Sequence, residues 1–221
     1  MKVMVRSMIL LLVFSVLSAC GGGAKNIRPE GSLEQSKGMA LYQAGDYFNA
    51  ISWLEQSHNL YPNKTVLLAL IDAYEQLGEL VKIYPLLNHE LLSASVEKSI
   101  ISAMLASNDG NCHSVIEKLS GLNVNDTEAQ WKTKYFKLLA DCYVQQGNSL
   151  MAARHLFLLM QSENAEANHD DKAYTDALVY ELMKISEIDL IQSIGEADDE
   201  VWRGWLEAAF IEFGADGESG E

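Results

Sequence analysis

Four glycines, Gly45, Gly78, Gly110 and Gly147, stand 33, 32 and 37 residues apart. Nine positions after each comes a leucine: Leu54, Leu87, Leu119 and Leu156. Seven positions before, Gly38, Ala103 and Ala140 are small, and Ile71 departs from the pattern. Five positions after come Ala50, Ile83, Val115 and Ala152. Near-constant spacing of this kind marks a chain built from stacked units, each burying its apolar face against its neighbours. From residue 32 onward there is almost no strand signal, and the 221-residue chain has only three prolines, at 29, 62 and 85. The units are therefore expected to be helical. An apolar content of 48% is ample for a packed core.

The stretch GMALYQAGDYFNAISWLEQSHNLYPNK, residues 38–64, closely resembles a tetratricopeptide repeat, a helix-turn-helix unit. Gly38 meets the family's small residue in the first helix, and Gly45-Asp46-Tyr47 its turn. Ala50, Leu54 and Pro62 match its second helix and close. Small residues let antiparallel helices approach closely, glycine ends a helix in the left-handed region, and proline stops one. The units at Gly45 and Gly147 match the pattern well and the two between are degenerate. Pro85 falls inside the expected second helix of its unit and implies a kink or a late start there. Residues 121–130 read as a longer connection. A further, poorly matching helix pair is expected over residues 172–194, after a polar loop at 162–171. A last helix then carries Trp202, Trp205, Leu206, Ala209, Phe210 and Phe213 on one face, with Asp198 or Asp199 as its N-cap. That face is either a cap over the end of the stack or a docking surface. The expected fold is all-α: a tetratricopeptide-like solenoid of four to five helix pairs over residues 32–213, with a capping helix and an acidic tail at 214–221.

The resemblance implies that partners, peptides or helices, lie in a groove lined by the first helices. By register, the groove residues are Gln35, Met39, Tyr42 and Gln43 in the first unit. In the fourth they are Lys134, Lys137, Asp141, Val144 and Gln145. The segment WKTKYFK, residues 131–137, is the one basic cluster in an acidic chain. Lys134 and Lys137 share a helix face, so they suit a partner's carboxylate; equally, they suit a solvated face with Lys137 and Asp141 as an i,i+4 pair. Register also sets Cys112 at the start of one helix and Cys142 late in its antiparallel neighbour. A disulfide and two buried thiols are both open readings.

The N-terminus supplies an address. Lys2 and Arg6 precede an apolar run from Met8 to Leu17, about half the ~20 residues a spanning helix needs and the right length for a secretory signal. Leu17-Ser18-Ala19-Cys20 resembles the lipobox of bacterial lipoproteins, which implies removal of residues 1–19 and lipidation of Cys20. Gly21, in place of an aspartate, implies the outer membrane in that family. Residues 20–31 read as a flexible linker. Without Lys2 and Arg6 the net charge of -15 becomes -17, which repels nucleic acid and anionic lipid; membrane attachment must then come from acyl chains.

No reaction is written in the chain. Its five histidines never pair in a metal-ligand spacing, and the His169-Asp170-Asp171 run reads as a solvated loop. There is no nucleophile elbow and no phosphate loop. The expectation is therefore a non-enzyme without cofactor or metal: a periplasm-facing lipoprotein scaffold that holds protein partners at the outer membrane. Similar lipoproteins serve pilus or secretion-machine assembly, and that role is the first expectation. Control of a peptidoglycan synthase or hydrolase, or outer-membrane protein assembly, is the alternative.

Overall fold

The turn glycines act identically. Gly45, Gly78, Gly110 and Gly147 have φ between 69° and 76°, the left-handed region that glycine enters without a Cβ penalty. At each, the glycine N–H donates three residues back and the next N–H donates five back, as in Gly45 to Tyr42 O and Asp46 to Leu41 O. This double bond pattern satisfies the last carbonyls of the preceding helix. Whether a new helix starts beyond the turn depends on the residue after the glycine. Asp46, Asn111 and Asn148 each accept a hydrogen bond from the N–H three positions on, at Asn49, Ser114 and Met151. An α-helix begins immediately after each of them. Glu79 makes no such bond among the described residues, and a 3-10 turn, not an α-helix, begins immediately after it.

The structure, a computed structural model, describes residues 32–163 and 171–213. These are all-α, with no strand among the described residues. The expected signal segment, lipidation site at Cys20, linker and acidic tail lie outside the described residues. The chain divides into two compact units between Ala73 and Tyr74.

In the first unit, α1 (Ser32–Gln43) packs against α2 (Tyr47–Leu60) through a three-residue turn. Gly38 is where they touch: a Cβ there would stand 2.8 Å from Leu54 Cδ2 and 3.0 Å from Leu54 N. The small residue that the repeat pattern asks for is thus a steric requirement. Helix α3 (Lys64–Gln76) comes after Pro62, with Asn63 Oδ1 accepting from Val66 N as its cap. Every residue from Val66 to Tyr74 is buried.

In the second unit, the expected partner helix of α3 is absent. Leu80–Lys82, Tyr84–Asn88 and Glu90–Leu92 form three 3-10 turns instead. Pro85 occupies the opening of the second of these. A missing cap at Glu79 and a missing N–H at Pro85 together remove the support a helix start needs. Ile83 and Leu92 nevertheless anchor the segment, both fully buried.

Regular pairing then resumes. Helices α4 (Val96–Asn108) and α5 (Cys112–Leu119) form one pair, with α6 (Ala129–Gln145) against both. Residues 120–128 make the longer connection, with α6 starting only at Ala129. Next come α7 (Ser149–Glu163) on α6, α8 (Asp171–Leu182) on α7, and the pair α9 (Glu187–Glu196) and α10 (Glu200–Phe213). Asp199, one of the two aspartates expected, caps α10 through Trp202 N at 2.9 Å. The aromatic face of α10 turns inward. Trp202, Leu206 and Ala209 join Phe157, Leu178, Leu182 and Leu190 in one apolar cluster, with Trp205, Phe210 and Phe213 packed against it. The Arg154 guanidinium lies over both Phe157 and Trp202, at 5.5 and 5.3 Å, and clamps α7 to α10.

Candidate functional site

The groove residues expected from the repeat register separate into those already engaged within the protein and those open to a partner. In the first unit, Tyr42 donates from its hydroxyl to Asp72 Oδ2 at 2.7 Å. Asp72 is a buried carboxylate, only 6% exposed, and the phenol helps meet its need for donors. Gln35, seven residues back on the same face, accepts from Asn63 Nδ2 at 3.5 Å, which links α1 to the residue that caps α3. Met39 between them is half-buried, and Gln43 is exposed. Gln35 and Tyr42 therefore brace α1 against α3, and Gln43 with the edge of Met39 is the part of α1 presented outward.

In the second unit the face belongs to α6. Lys134 is paired with Glu75 in the last turn of α3, and both side chains are three-quarters or more buried. This pair spans 59 residues of sequence. The lysine expected to clamp a partner's carboxylate already holds one, so a partner would have to displace Glu75 to use it. Lys137, one turn on, is exposed, as are Asp141, Val144 and Gln145 along the same helix. The Asp141 carboxyl is pushed above its usual range by the protein packed around it, against the opposing pull of Lys137. Val144, 43% exposed, adds an apolar contact.

Behind this face α6 is held firmly. Cys112 and Cys142 form a disulfide with their Cα atoms 5.0 Å apart, joining the start of α5 to the late turns of α6. Of the two open readings of these cysteines, the structure carries the bridge. The bond falls between the exposed residues Asp141 and Val144, so it fixes the backbone that presents them. On α7, His155 stacks on Tyr143 with ring centroids 5.4 Å apart and planes within 5°. Burial first, and Arg154 second, lower the His155 pKa to about 4, so the ring is neutral at pH 7. Its Nδ1 is buried without a hydrogen-bond partner among the described residues.

The caps Asn111 and Asn148 and the Glu75 partner of Lys134 were missed by sequence reasoning. The Gly-Asn dipeptides at 110–111 and 147–148 are visible in the sequence and repeat the Gly-Asp of 45–46. No local signal identifies Glu75. Among the described residues no three His, Cys, Asp or Glu side chains gather as a metal site. No helix among them is long and apolar enough to cross a membrane. No protein family, curated protein or solved structure matches the chain.

Proposed function

We propose that the protein is a lipid-anchored adaptor whose tetratricopeptide-like repeats hold protein partners at the outer membrane, facing the periplasm. The observation that carries the reading is the recurrence of one turn, Gly45, Gly78, Gly110 and Gly147, with the same left-handed glycine and the same pair of backbone hydrogen bonds. Repeats of this kind serve to build an extended binding surface. In this reading Cys20 is the lipid attachment site, supported by the signal-like segment and the LSAC sequence before it. In the second unit the partner-binding surface is the exposed face of α6, Lys137, Asp141, Val144 and Gln145; in the first unit, taken by itself, Gln43 of α1 is the exposed groove residue. Assembly of a pilus or secretion machine is the proposed setting.

Crosslinking in intact cells, followed by mass spectrometry of the protein and its adducts, tests both halves. The adaptor reading expects an acylated N-terminal peptide beginning at Cys20, together with adducts to components of one envelope machine. A mature N-terminus elsewhere, without lipid, defeats the anchor. Adducts confined to peptidoglycan synthases or hydrolases would replace assembly with control of the cell wall.

A further inference from the structure

The inner side of α10 is covered by the core, whereas its outer side is an apolar face that none of the described residues covers. Val201, Gly204, Ala208 and Ile211 succeed one another at intervals of three, four and three residues, so they lie on one side of the helix. All four are exposed; Val201 keeps 60% and Ile211 76% of its accessible surface. A Cβ built on Gly204 meets nothing within 4 Å. Large residues at the ends and small ones in the middle form a shallow trough, into which the ridge of another helix fits closely.

Charge specifies the occupant. Glu200 and Glu207 border the face on one side and Glu212 on the other, all exposed. The only basic residue of α10, Arg203, is half-buried and donates from Nη2 to the Ala197 carbonyl. Residues 171–213 carry eleven acidic and three basic side chains. We propose that this face docks a basic amphipathic helix of another protein, its apolar residues on Val201 and Ile211 and its lysines or arginines against the three glutamates. A second copy of the chain fits badly, because an antiparallel pair would set these glutamates against their own counterparts. An anionic lipid surface is repelled for the same reason. This surface is separate from the α6 face and stands whether or not that one binds a partner.

The probe is a fluorescent synthetic helix of leucine and lysine at 3.6-residue spacing, titrated onto the immobilised full chain. Its control is a leucine–glutamate helix with the same apolar face. The expected result is binding of the lysine helix alone, weakening as salt rises. Val201→Ser with Ile211→Ser keeps every charge and should lower affinity about tenfold, since two partly buried aliphatic side chains are lost from the interface. Circular dichroism of that variant should be unchanged, because both side chains face solvent. Glu207→Gln with Glu212→Gln should flatten the salt dependence. Equal binding of the two helices, or unchanged affinity in the serine variant, would overturn the proposal. So would a dimer in sedimentation that the serine variant abolishes, or binding of the chain to anionic vesicles through this face.

Discussion

Replacing Gly38 with alanine sets two opposing effects against each other at one atom. Glycine inside a helix costs about 1 kcal/mol relative to alanine, so the change should stabilise α1 if nothing lies near. Here something does: the new Cβ would stand 2.8 Å from Leu54 Cδ2, 3.0 Å from Leu54 Cγ and 3.0 Å from Leu54 N. The methyl can swing aside, but the backbone nitrogen belongs to α2 and moves only with the helix. Forcing an extra carbon into a packed contact costs ~1–3 kcal/mol. Gly38→Ala should therefore be destabilising by about 1 kcal/mol net. Gly204→Ala and Gly195→Ala are the internal controls, since a Cβ at either meets nothing within 4 Å. Each should gain roughly 0.5–1 kcal/mol of stability. Urea unfolding tracked by circular dichroism measures all three. If Gly38→Ala stabilises as much as the controls, the close helix approach at Leu54 is wrong, and so is the steric reading of the small residue.

The cap residues give a second set: Asn111→Ala and Asn148→Ala should each cost about 1 kcal/mol in the same unfolding assay. Reducing the Cys112–Cys142 disulfide, whose cysteines lie 30 residues apart, should lower stability by about 3 kcal/mol, read as a fall in the urea midpoint with reductant. A Cys112→Ala, Cys142→Ala variant should lose its sensitivity to reductant. His155 makes stability depend on acid. Its pKa is about 4 folded against about 6.5 unfolded, so between those values the unfolded chain binds the extra proton. Stability is then complete above pH 6.5 and falls as pH drops toward 4, by about 3 kcal/mol at the limit. In a pH series of thermal melts His155→Phe should remove most of that slope and leave the stability at about pH 7.5 little changed.

Local chemistry made much of the fold readable. Gly45, Gly78, Gly110 and Gly147 could be recognised because a positive φ selects for glycine, and Leu54, Leu119 and Leu156 because helix faces repeat at fixed offsets. Asp199 and the inward aromatic face of α10 obey the same rules. The unit around Gly78 resisted for a reason equally local: Glu79 does not cap as Asp46 and Asn111 do, and Pro85 then denies the next turn its N–H. Three 3-10 turns stand where the repeat pattern leads one to expect a kinked or late-starting helix. The division between Ala73 and Tyr74 has no sequence signal, since it falls inside the continuous helix α3. At the candidate site, register alone put Lys134 on an open face. Its engagement by Glu75, 59 residues away, depends on how distant helices pack, and no local pattern encodes that. Tyr42 and Gln35 are the same case, since their partners Asp72 and Asn63 lie 30 and 28 residues along the chain.

The adaptor reading rests on the α6 face meeting a protein. Site-specific photo-crosslinking in living cells addresses it most directly, with the photoreactive residue placed at Lys137 or Val144 and, as control, at Lys118 of α5, which is also exposed. An adaptor that binds through α6 should give one discrete protein adduct from Lys137 and Val144 and none from Lys118. Adducts of equal yield at all three positions, or none at any, would contradict it.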